Sequence, residues 1–282
     1  MKQIPFNTTK TFLKVLPVLT ALLLNIAPVQ AQQLDAAMEP IGNLITDRPD
    51  ATESPNTVAK GYWQYEGGFL YSRDTPGYGS LDKTVYNTSL FRIGLLDNFE
   101  LRLGINSQKE RAEQLDGAVR STEFSGTTPL LLGFKTTLLE SDGAGPTIGF
   151  LGHLYLPFAA ANAFKTTHTG ADFRFSVAHS LSEKNGIAYN IGAQWGGDTA
   201  AMAYVYTLSF SHAINQKLGL YLEVYGDLPE QQGPNHSWDS GITYLVNPSF
   251  QIDATVGAGW NTPQAILLST GLSLRFPKTL KK

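Results

Sequence analysis

Residues 250–260 read FQIDATVGAGW, and apolar side chains occupy every second position of this stretch. After a break at residues 261–263 the alternation resumes at residues 264–276, which read QAILLSTGLSLRF. Successive side chains of a β-strand point to opposite faces, so each stretch predicts a strand with one apolar and one polar face. About ten residues is the length that a tilted strand needs to cross a bilayer. The pair therefore predicts a membrane-spanning hairpin at the end of a barrel.

About twelve alternating runs of this kind, with turn residues at their ends, follow one another from Gly61 onward. We therefore predict an all-β fold, a transmembrane antiparallel up-and-down β-barrel of about twelve strands at residues 61–276. A secreted β-sandwich or a soluble barrel is the alternative, but its surface would expose a continuous apolar band to water. The predicted strands are residues 61–73, 83–96, 99–110, 127–140, 145–157, 168–182, 186–197, 202–214, 217–228, 237–246, 249–260 and 264–276.

The connections between these runs alternate in length along the chain. Short connections, such as residues 97–98 and 215–216, alternate with longer ones, such as residues 74–82 and 111–126. Outer-membrane barrels have short turns at the periplasmic side and longer loops at the outer side. An even number of strands places both ends of the barrel at the short-turn side. The predicted location is therefore the bacterial outer membrane, with its lipids as the partner of the apolar face.

The N-terminus has the features of an export signal. Three lysines accompany a largely apolar run at Val15–Ile26, and Val29–Ala31 offers the small residues of a cleavage site. This pattern predicts a signal peptide at residues 1–31, in a chain exported by a Gram-negative bacterium. A helical membrane anchor is the alternative, but the run is shorter than the roughly 20 apolar residues that a spanning helix needs.

Composition narrows the function classes. The chain has no cysteine, which excludes a disulfide framework and thiolate sites. Charged residues make up 16% of the chain, against about 25% in an average soluble domain. The net charge of −3 falls to −6 when the three lysines of the signal peptide are removed, and this sign argues against a nucleic-acid partner. Low charge with 27 glycines fits a barrel whose hydrophobicity is spread over many strands.

Residues 32–60 show no periodicity, and their prolines and charges predict an extended segment in the periplasm or inside the lumen as a plug. The charges are concentrated at Asp47, Arg48, Asp50 and Glu53. Three carboxylates could ligate Ca²⁺, but their spacing matches no metal-binding loop, so we predict no metal site. We expect instead that Arg48 pairs with carboxylates inside the barrel or at its periplasmic mouth.

If the apolar side chains face lipid, the polar faces of the strands line the lumen. Two roles stay open for the charged residues there: a charge-lined conducting pathway, or a salt-bridged network that holds the wall round. Besides the four charged residues of the N-terminal segment, the lumen and plug candidates are Glu66, Arg92, Glu100, Arg102, Lys135, Asp172, Arg174, Glu223, Asp253 and Arg275.

The outer-membrane phospholipase type, an enzyme barrel of similar size, carries a histidine and a serine two residues apart on one face of a strand, so that the histidine activates the hydroxyl. None of the residues two positions after a histidine is a nucleophile. The sequence also has no zinc-binding pair, no phosphate-binding loop and no Gly-x-Ser-x-Gly motif. We therefore predict no catalytic residue and no cofactor. The residues two positions after the five histidines are Tyr155, Gly170, Leu181, Ile214 and Trp238.

Several stretches resemble a family of outer-membrane barrels named after the meta-cleavage pathway of phenol degradation. The opening motif lies at residues 45–55 and reads ITDRPDATESP. The resemblance continues at residues 60–66 (KGYWQYE), 92–104 (RIGLLDNFELRLG), 241–248 (GITYLVNP) and 251–257 (QIDATVG). It implies a barrel of about twelve strands and a transport role, and the name of the family implies small apolar or aromatic compounds as solutes. It implies no defined substrate.

Residues 269–276, STGLSLRF, resemble the signal that the barrel-assembly machinery reads on a last strand, which implies this machinery as a partner. Residues 277–282 follow the signal and begin with a proline, so we predict a short periplasmic tail. The predicted function is passive passage of small molecules whose identity the sequence does not define. The alternative is a non-conducting structural or surface-interaction barrel that works through its long loops at residues 74–82 and 111–126.

Overall fold

The structure is a computed structural model that describes residues 41–77, 79–115, 119–141, 145–199, 201–230 and 232–277. The predicted signal peptide, residues 32–40 of the N-terminal segment and residues 278–282 of the tail lie outside these ranges. Among the described residues, no helix has the length and apolar character that a membrane-spanning helix needs.

The described residues form thirteen antiparallel β-strands and two single-turn 3-10 helices. Strand β1 pairs with both β2 and β13, so the sheet closes on itself. Strands β4 and β5 both pair with β3 and share one place in the wall, which confirms the predicted barrel of twelve strand positions. The helices are Pro157–Ala159 and Asn162–Phe164. The strands are β1 (Tyr62–Asp74), β2 (Gly79–Leu96), β3 (Phe99–Leu115), β4 (Val119–Thr127), β5 (Leu130–Leu139), β6 (Thr147–Leu156), β7 (Gly170–Ser180), β8 (Asn185–Trp195), β9 (Met202–Ala213), β10 (Leu218–Pro229), β11 (Asn235–Asn247), β12 (Phe250–Gly259) and β13 (Gln264–Pro277).

The two faces of the wall differ in polarity as the alternation predicts. In β3, Leu101 and Leu103 are exposed on the outer face, whereas Arg102 between them is 1% exposed and faces the lumen. In β12, Ile252 is exposed and Asp253 is buried. Transfer of such an outer leucine or isoleucine from water to hydrocarbon is favourable by about 1.5–3 kcal/mol. An apolar outer surface around a polar interior is the arrangement of an outer-membrane barrel.

A row of phenylalanines crosses the outer face of four neighbouring strands. The ring centroids of Phe99 and Phe134 are 5.9 Å apart, those of Phe134 and Phe150 5.9 Å, and those of Phe150 and Phe175 5.0 Å. Aromatic side chains of this kind form the girdles of outer-membrane barrels at the membrane–water interfaces. The row therefore anchors this part of the wall in the lipid.

The predicted loop at residues 111–126 is wrong, because β3 continues to Leu115 and β4 begins at Val119. The two strands extend the wall as a hairpin, in which Lys109 and Glu123 form an ion pair at 2.7 Å. Above the membrane both faces of a strand meet water. The apolar alternation therefore stops there, although the backbone hydrogen bonds continue.

The predicted strand at residues 127–140 is divided in the structure. Strand β4 ends at Thr127 and β5 begins at Leu130, and Pro129 between them has no N–H group to donate. The N–H of Thr128 still donates to the Asn106 carbonyl at 3.0 Å, so the hairpin stays attached to β3 across the break.

Spin labels test the assignment of the two faces. Labels on L101C, L208C and I252C are expected to be accessible to oxygen dissolved in the bilayer, because these side chains point outward. Labels on N106C, Q194C and S237C, which line the lumen, are expected to be accessible to a water-soluble nickel complex. The reverse pattern in continuous-wave EPR would contradict the fold.

Candidate functional site

Residues 42–61, which we call the plug, enter the barrel at its short-turn end and return to the same end. The N–H of Leu44 donates to the carbonyl of Pro248, in the turn between β11 and β12, at 2.8 Å. At the other end of the plug, the N–H of Gly61 donates to the Gly94 carbonyl of β2 at 3.1 Å. Between these ends the chain has no helix or strand, and wall side chains therefore provide the partners of its polar groups.

Arg92 of β2 is the centre of an ion-pair network between the wall and the plug. Its guanidinium contacts Glu66 at 2.8 Å, Glu100 at 2.8 Å and the plug residue Asp47 at 3.0 Å. It also donates to the backbone carbonyl of Asn56 at 3.0 Å. The side chain is completely buried. Burial of a guanidinium is tolerated here because each edge of the group meets an acceptor.

Lys135 and Arg102 hold the two carboxylates of the plug that face this side of the wall. The ammonium group of Lys135 lies 2.7 Å from both oxygens of Asp47 and 3.3 Å from Glu53. Arg102 donates two hydrogen bonds to the Glu53 carboxylate, at 2.7 and 3.1 Å. Together with Arg92, these two cations give this part of the wall three positive charges, against the two negative charges of Glu66 and Glu100. The wall therefore attracts an acidic segment. Burial by itself would raise the pKa of Glu53, but the neighbouring Arg102 and Lys135 hold it well below its usual range.

On the opposite side of the plug, Arg48 reaches the wall at Asp253 of β12. Its Nη2 and Nε donate to the two carboxylate oxygens at 2.9 and 3.2 Å. Gly68 of β1 and Gly271 of β13 are register partners, and a Cβ atom at either position would come within 3 Å of the guanidinium. The two glycines therefore leave the space that the Arg48 side chain occupies. The expected pairing of Arg48 with a lumen carboxylate is present.

The backbone of the plug is fixed by polar side chains of the wall. The N–H of Ala51 donates to the Glu223 carboxylate at 2.7 Å, and the hydroxyl of Thr52 donates to the same group. Asn190, which is completely buried, accepts from the N–H of Glu53 at 2.7 Å and donates to its carbonyl at 2.9 Å. Buried backbone groups require such partners, and here the barrel provides them in place of secondary structure.

Asp50 is the one predicted plug residue that faces charges of its own sign. It lies near Glu223 and Asp239, which are cross-strand partners in β10 and β11. Burial and the adjacent Glu223 carboxylate raise the pKa of Asp50 well above its usual range. Asp50 is therefore turned away from Asp47 and Glu53, which rest against cations. The described residues contain no group of three or more carboxylate or histidine side chains placed to hold a metal ion.

Two of the predicted lumen residues lie in β7, outside the ion-pair network. Asp172 accepts from Nδ1 of His153 at 2.9 Å and from the hydroxyl of Tyr155 at 2.7 Å. Arg174 donates from Nη1 to the Ala51 carbonyl at 3.2 Å. Both residues face a cavity. In the described part of the chain, neither forms an ion pair with a charged residue of the plug.

Arg275 lies at the short-turn rim and not in the centre of the lumen. Its Nη2 donates to the Gly42 carbonyl at 2.7 Å and to the Pro248 carbonyl at 3.1 Å, and its guanidinium stands 5.8 Å from the centre of the Tyr62 ring. It anchors the point at which the plug enters the barrel.

Two cavities lie on the long-loop side of the plug. The first, of about 340 Å³, is lined by Glu53, Arg102, His153 and Arg174, among others. The second, of about 490 Å³, is lined by Arg174, Gln194, Tyr225 and Ser237, among others, and extends to the ends of β1 and β13. The plug thus occupies the short-turn half of the lumen, and space remains in the other half.

Sequence reasoning missed the uncharged residues of the site. Asn190, Ser176 and Thr207 are fully or almost fully buried in the lumen and contact the plug directly or through one another. Each stands at an inward position of the alternation, which was the available signal. The predicted lumen residues were chosen because they are charged, so these uncharged residues were not among them.

Removal of the Lys135 charge tests the network. Lys135→Met is expected to lower the free energy of unfolding by about 3 kcal/mol, because it leaves Asp47 and Glu53 buried with fewer partners. The check is denaturant unfolding of the folded protein in detergent, with Lys217→Met at an exposed turn as the control. A difference between K135M and K217M within the error of the measurement would contradict the network.

Asp50→Asn tests the like-charge contact. With a raised pKa in the folded state, ionisation of Asp50 lowers stability as the pH rises above about 4, its usual value. D50N is therefore expected to have the same free energy of unfolding as the wild type at pH 4 and a larger one at pH 8. Unfolding curves at the two pH values measure this, with the exposed D97N as control. An increase in the free energy of unfolding that is equal at the two pH values would contradict the like-charge contact.

Three solved structures are similar to this chain. An outer membrane channel from Pseudomonas putida F1 is similar over 81% of this chain and 100% of its own, at 13% identity and a TM-score of 0.65. The translocator domain of the autotransporter NalP from Neisseria meningitidis covers 79% of this chain and 91% of its own (9% identity, TM-score 0.49). The Ralstonia pickettii toluene transporter TbuX covers 80% and 92% (8% identity, TM-score 0.43).

No curated protein matches the chain significantly. The model of a protein family, described as "Putative MetA-pathway of phenol degradation", matches residues 46–276. The match begins within the plug and ends in the last strand, so it includes both the lumen segment and the wall. The chain is an outer-membrane β-barrel and belongs to this family.

Proposed function

We propose that the protein is an outer-membrane channel for small molecules, in which the plug controls the short-turn half of the lumen. The observation that carries the proposal is the division of the lumen. One half is filled by a segment that is not part of the wall, and the other half contains cavities of about 340 and 490 Å³. A solute that enters from the long-loop side would pass through these cavities before it reached the plug.

The contacts of the plug suit a movable part. Apart from the backbone hydrogen bonds of Leu44 and Gly61 at its two ends, they are ion pairs and hydrogen bonds with side chains such as Lys135 and Asp253. In the described residues the plug forms no strand that pairs with the wall. The plug can therefore shift without opening the sheet, whose own hydrogen bonds stay intact. Charge pairs of this kind weaken with ionic strength once water reaches them.

The orientation follows from the same architecture. We place the short-turn end in the periplasm, with residues 1–31 removed as a signal peptide, residues 32–60 as an extended segment in the periplasm or inside the lumen, and residues 277–282 as a periplasmic tail. The apolar face contacts the lipids, and the final strand is recognised by the assembly machinery. The name of the Pseudomonas putida relative, an outer membrane channel, agrees with this function.

A second function, a non-conducting structural barrel, has one observation in its favour. Arg92, Glu100 and Lys135 are completely buried, so the short-turn half of the lumen is as closely filled as a protein core. In that case the long β3–β4 hairpin, and not the lumen, would carry the function.

Single-channel recording in planar bilayers separates the two functions. The wild type is expected to give discrete small conductance steps, and a variant that lacks residues 43–56 is expected to give steps several-fold larger, because ions then pass the short-turn half freely. A variant with the β3–β4 hairpin shortened by residues 111–123 serves as control and keeps the wild-type conductance. Silent bilayers with both the wild type and the plug deletion would favour the structural barrel.

A further inference from the structure

Arg174 differs from the other arginines that line the cavities, because no carboxylate lies within 4.0 Å of its guanidinium in the described part of the chain. Arg48 is paired with Asp253, and Arg102 with Glu53. Arg174 makes one hydrogen bond, from Nη1 to the Ala51 carbonyl, and its Nε is buried without a partner. A guanidinium carries five N–H donors and keeps its charge at every physiological pH. Most of its bonding capacity is therefore unused.

The position of Arg174 is as distinctive as its lack of an ion pair. Among the residues that line the two described cavities on the long-loop side, it is the one that lines both. Its stem runs beside Gly192 of β8, where a Cβ atom would stand 3.0 Å from the Arg174 Cγ. The glycine allows the side chain to lie between the cavities, where a solute on its way to the plug would meet it.

Two other side chains of the first cavity also have a buried polar atom without a hydrogen-bond partner. Nε of Arg102 and Nε2 of His153 are buried and have no hydrogen-bond partner. The four carboxylates that line the same cavity are already engaged: Glu53 with Arg102, Asp172 with His153 and Tyr155, Asp47 with Lys135, and Glu66 with Arg92. Nε2 of His153 is an acceptor when Nδ1 donates to Asp172, whereas the unpartnered Nε atoms of Arg102 and Arg174 are donors. Free guanidinium donors beside engaged carboxylates favour an anion over a cation.

The opposite part of the cavity is apolar. Leu90 of β2, Gly104 of β3, Leu131 of β5 and Tyr155 of β6 are successive register partners and form one row across the wall. Gly104 adds no side chain, so the two leucines flank a shallow groove whose floor is backbone. A volume of about 340 Å³ lies within the range of roughly 300–1,000 Å³ that is usual for small-molecule sites.

We propose that this cavity binds small organic carboxylates, with the carboxylate on Arg174 and a compact apolar or aromatic group against the row of Leu90, Leu131 and Tyr155. The proposal rests on the channel function and names the class of solute. The planar guanidinium matches both oxygens of a carboxylate. The leucines remove the apolar group from water. A cation of the same size would meet the unpaired guanidinium and be repelled.

Isothermal titration of the purified protein in detergent tests the site with three probes of nearly equal shape: benzoate, benzyl alcohol and benzylamine. Benzoate is expected to bind saturably and at least tenfold more tightly than the other two. Acetate, which has the charge without the ring, is expected to bind at least tenfold more weakly than benzoate. Equal binding of benzoate and benzylamine would overturn the proposal.

Variants of Arg174 test whether this residue binds the carboxylate group. R174Q is expected to weaken benzoate binding at least tenfold, and R174K to fall between R174Q and the wild type, because lysine keeps the charge but loses the paired donors. R111Q, on the exposed hairpin beyond the wall, is the matched control and keeps the wild-type affinity. Circular dichroism confirms that each variant is folded. Binding by folded R174Q within twofold of the wild type would refute the site.

The outcome is separable from that of the channel proposal, because titration does not require conduction. Conductance without benzoate binding would leave the channel and reject the carboxylate site. Saturable benzoate binding that R174Q abolishes, in a protein whose bilayers are silent with and without the plug, would support the site and reject the channel.

Discussion

Charges that lie away from bulk water need partners of opposite sign, and the interior of this barrel depends on that constraint. Lys135 has no exposed surface, and its carboxylate partners, Asp47 and Glu53, come from a segment more than 80 positions earlier in the chain. Without the plug, the three basic side chains of Arg92, Arg102 and Lys135 would face two wall carboxylates and water. The plug completes the wall electrostatically, and the wall fixes the conformation of the plug.

The barrel reverses the distribution of polarity found in soluble proteins. Leucines and phenylalanines cover the outside because lipid is the solvent there, and polar side chains fill the inside because they can satisfy one another. The same reversal explains why the plug has no regular structure. A segment inside a polar lumen finds hydrogen-bond partners such as Asn190 and Glu223 in the wall, so it does not have to form its own.

The fold could be predicted from the sequence where the strands face lipid, because there apolar and polar residues alternate. Alternation identified the strands and the inward position of residues such as Arg102 and Asp253, and it failed at residues 111–126, where water covers both faces. The partners within the lumen could not be predicted in the same way. Arg48 and Asp253 are separated by 205 positions, and only the closed barrel brings them together. The opposite directions of Asp47 and Asp50, three residues apart, depend on the path of a segment without periodicity.

The central claim, that the plug lies inside the lumen in the contacts described, is tested most directly by a disulfide between plug and wall. The hydroxyls of Thr52 and Thr207 are 2.7 Å apart, and the chain has no cysteine of its own. The double variant T52C/T207C, expressed to the outer membrane under oxidising conditions, is predicted to lose both free thiols in a maleimide-labelling assay, whereas each single variant keeps one. Two free thiols in the folded double variant would contradict the account.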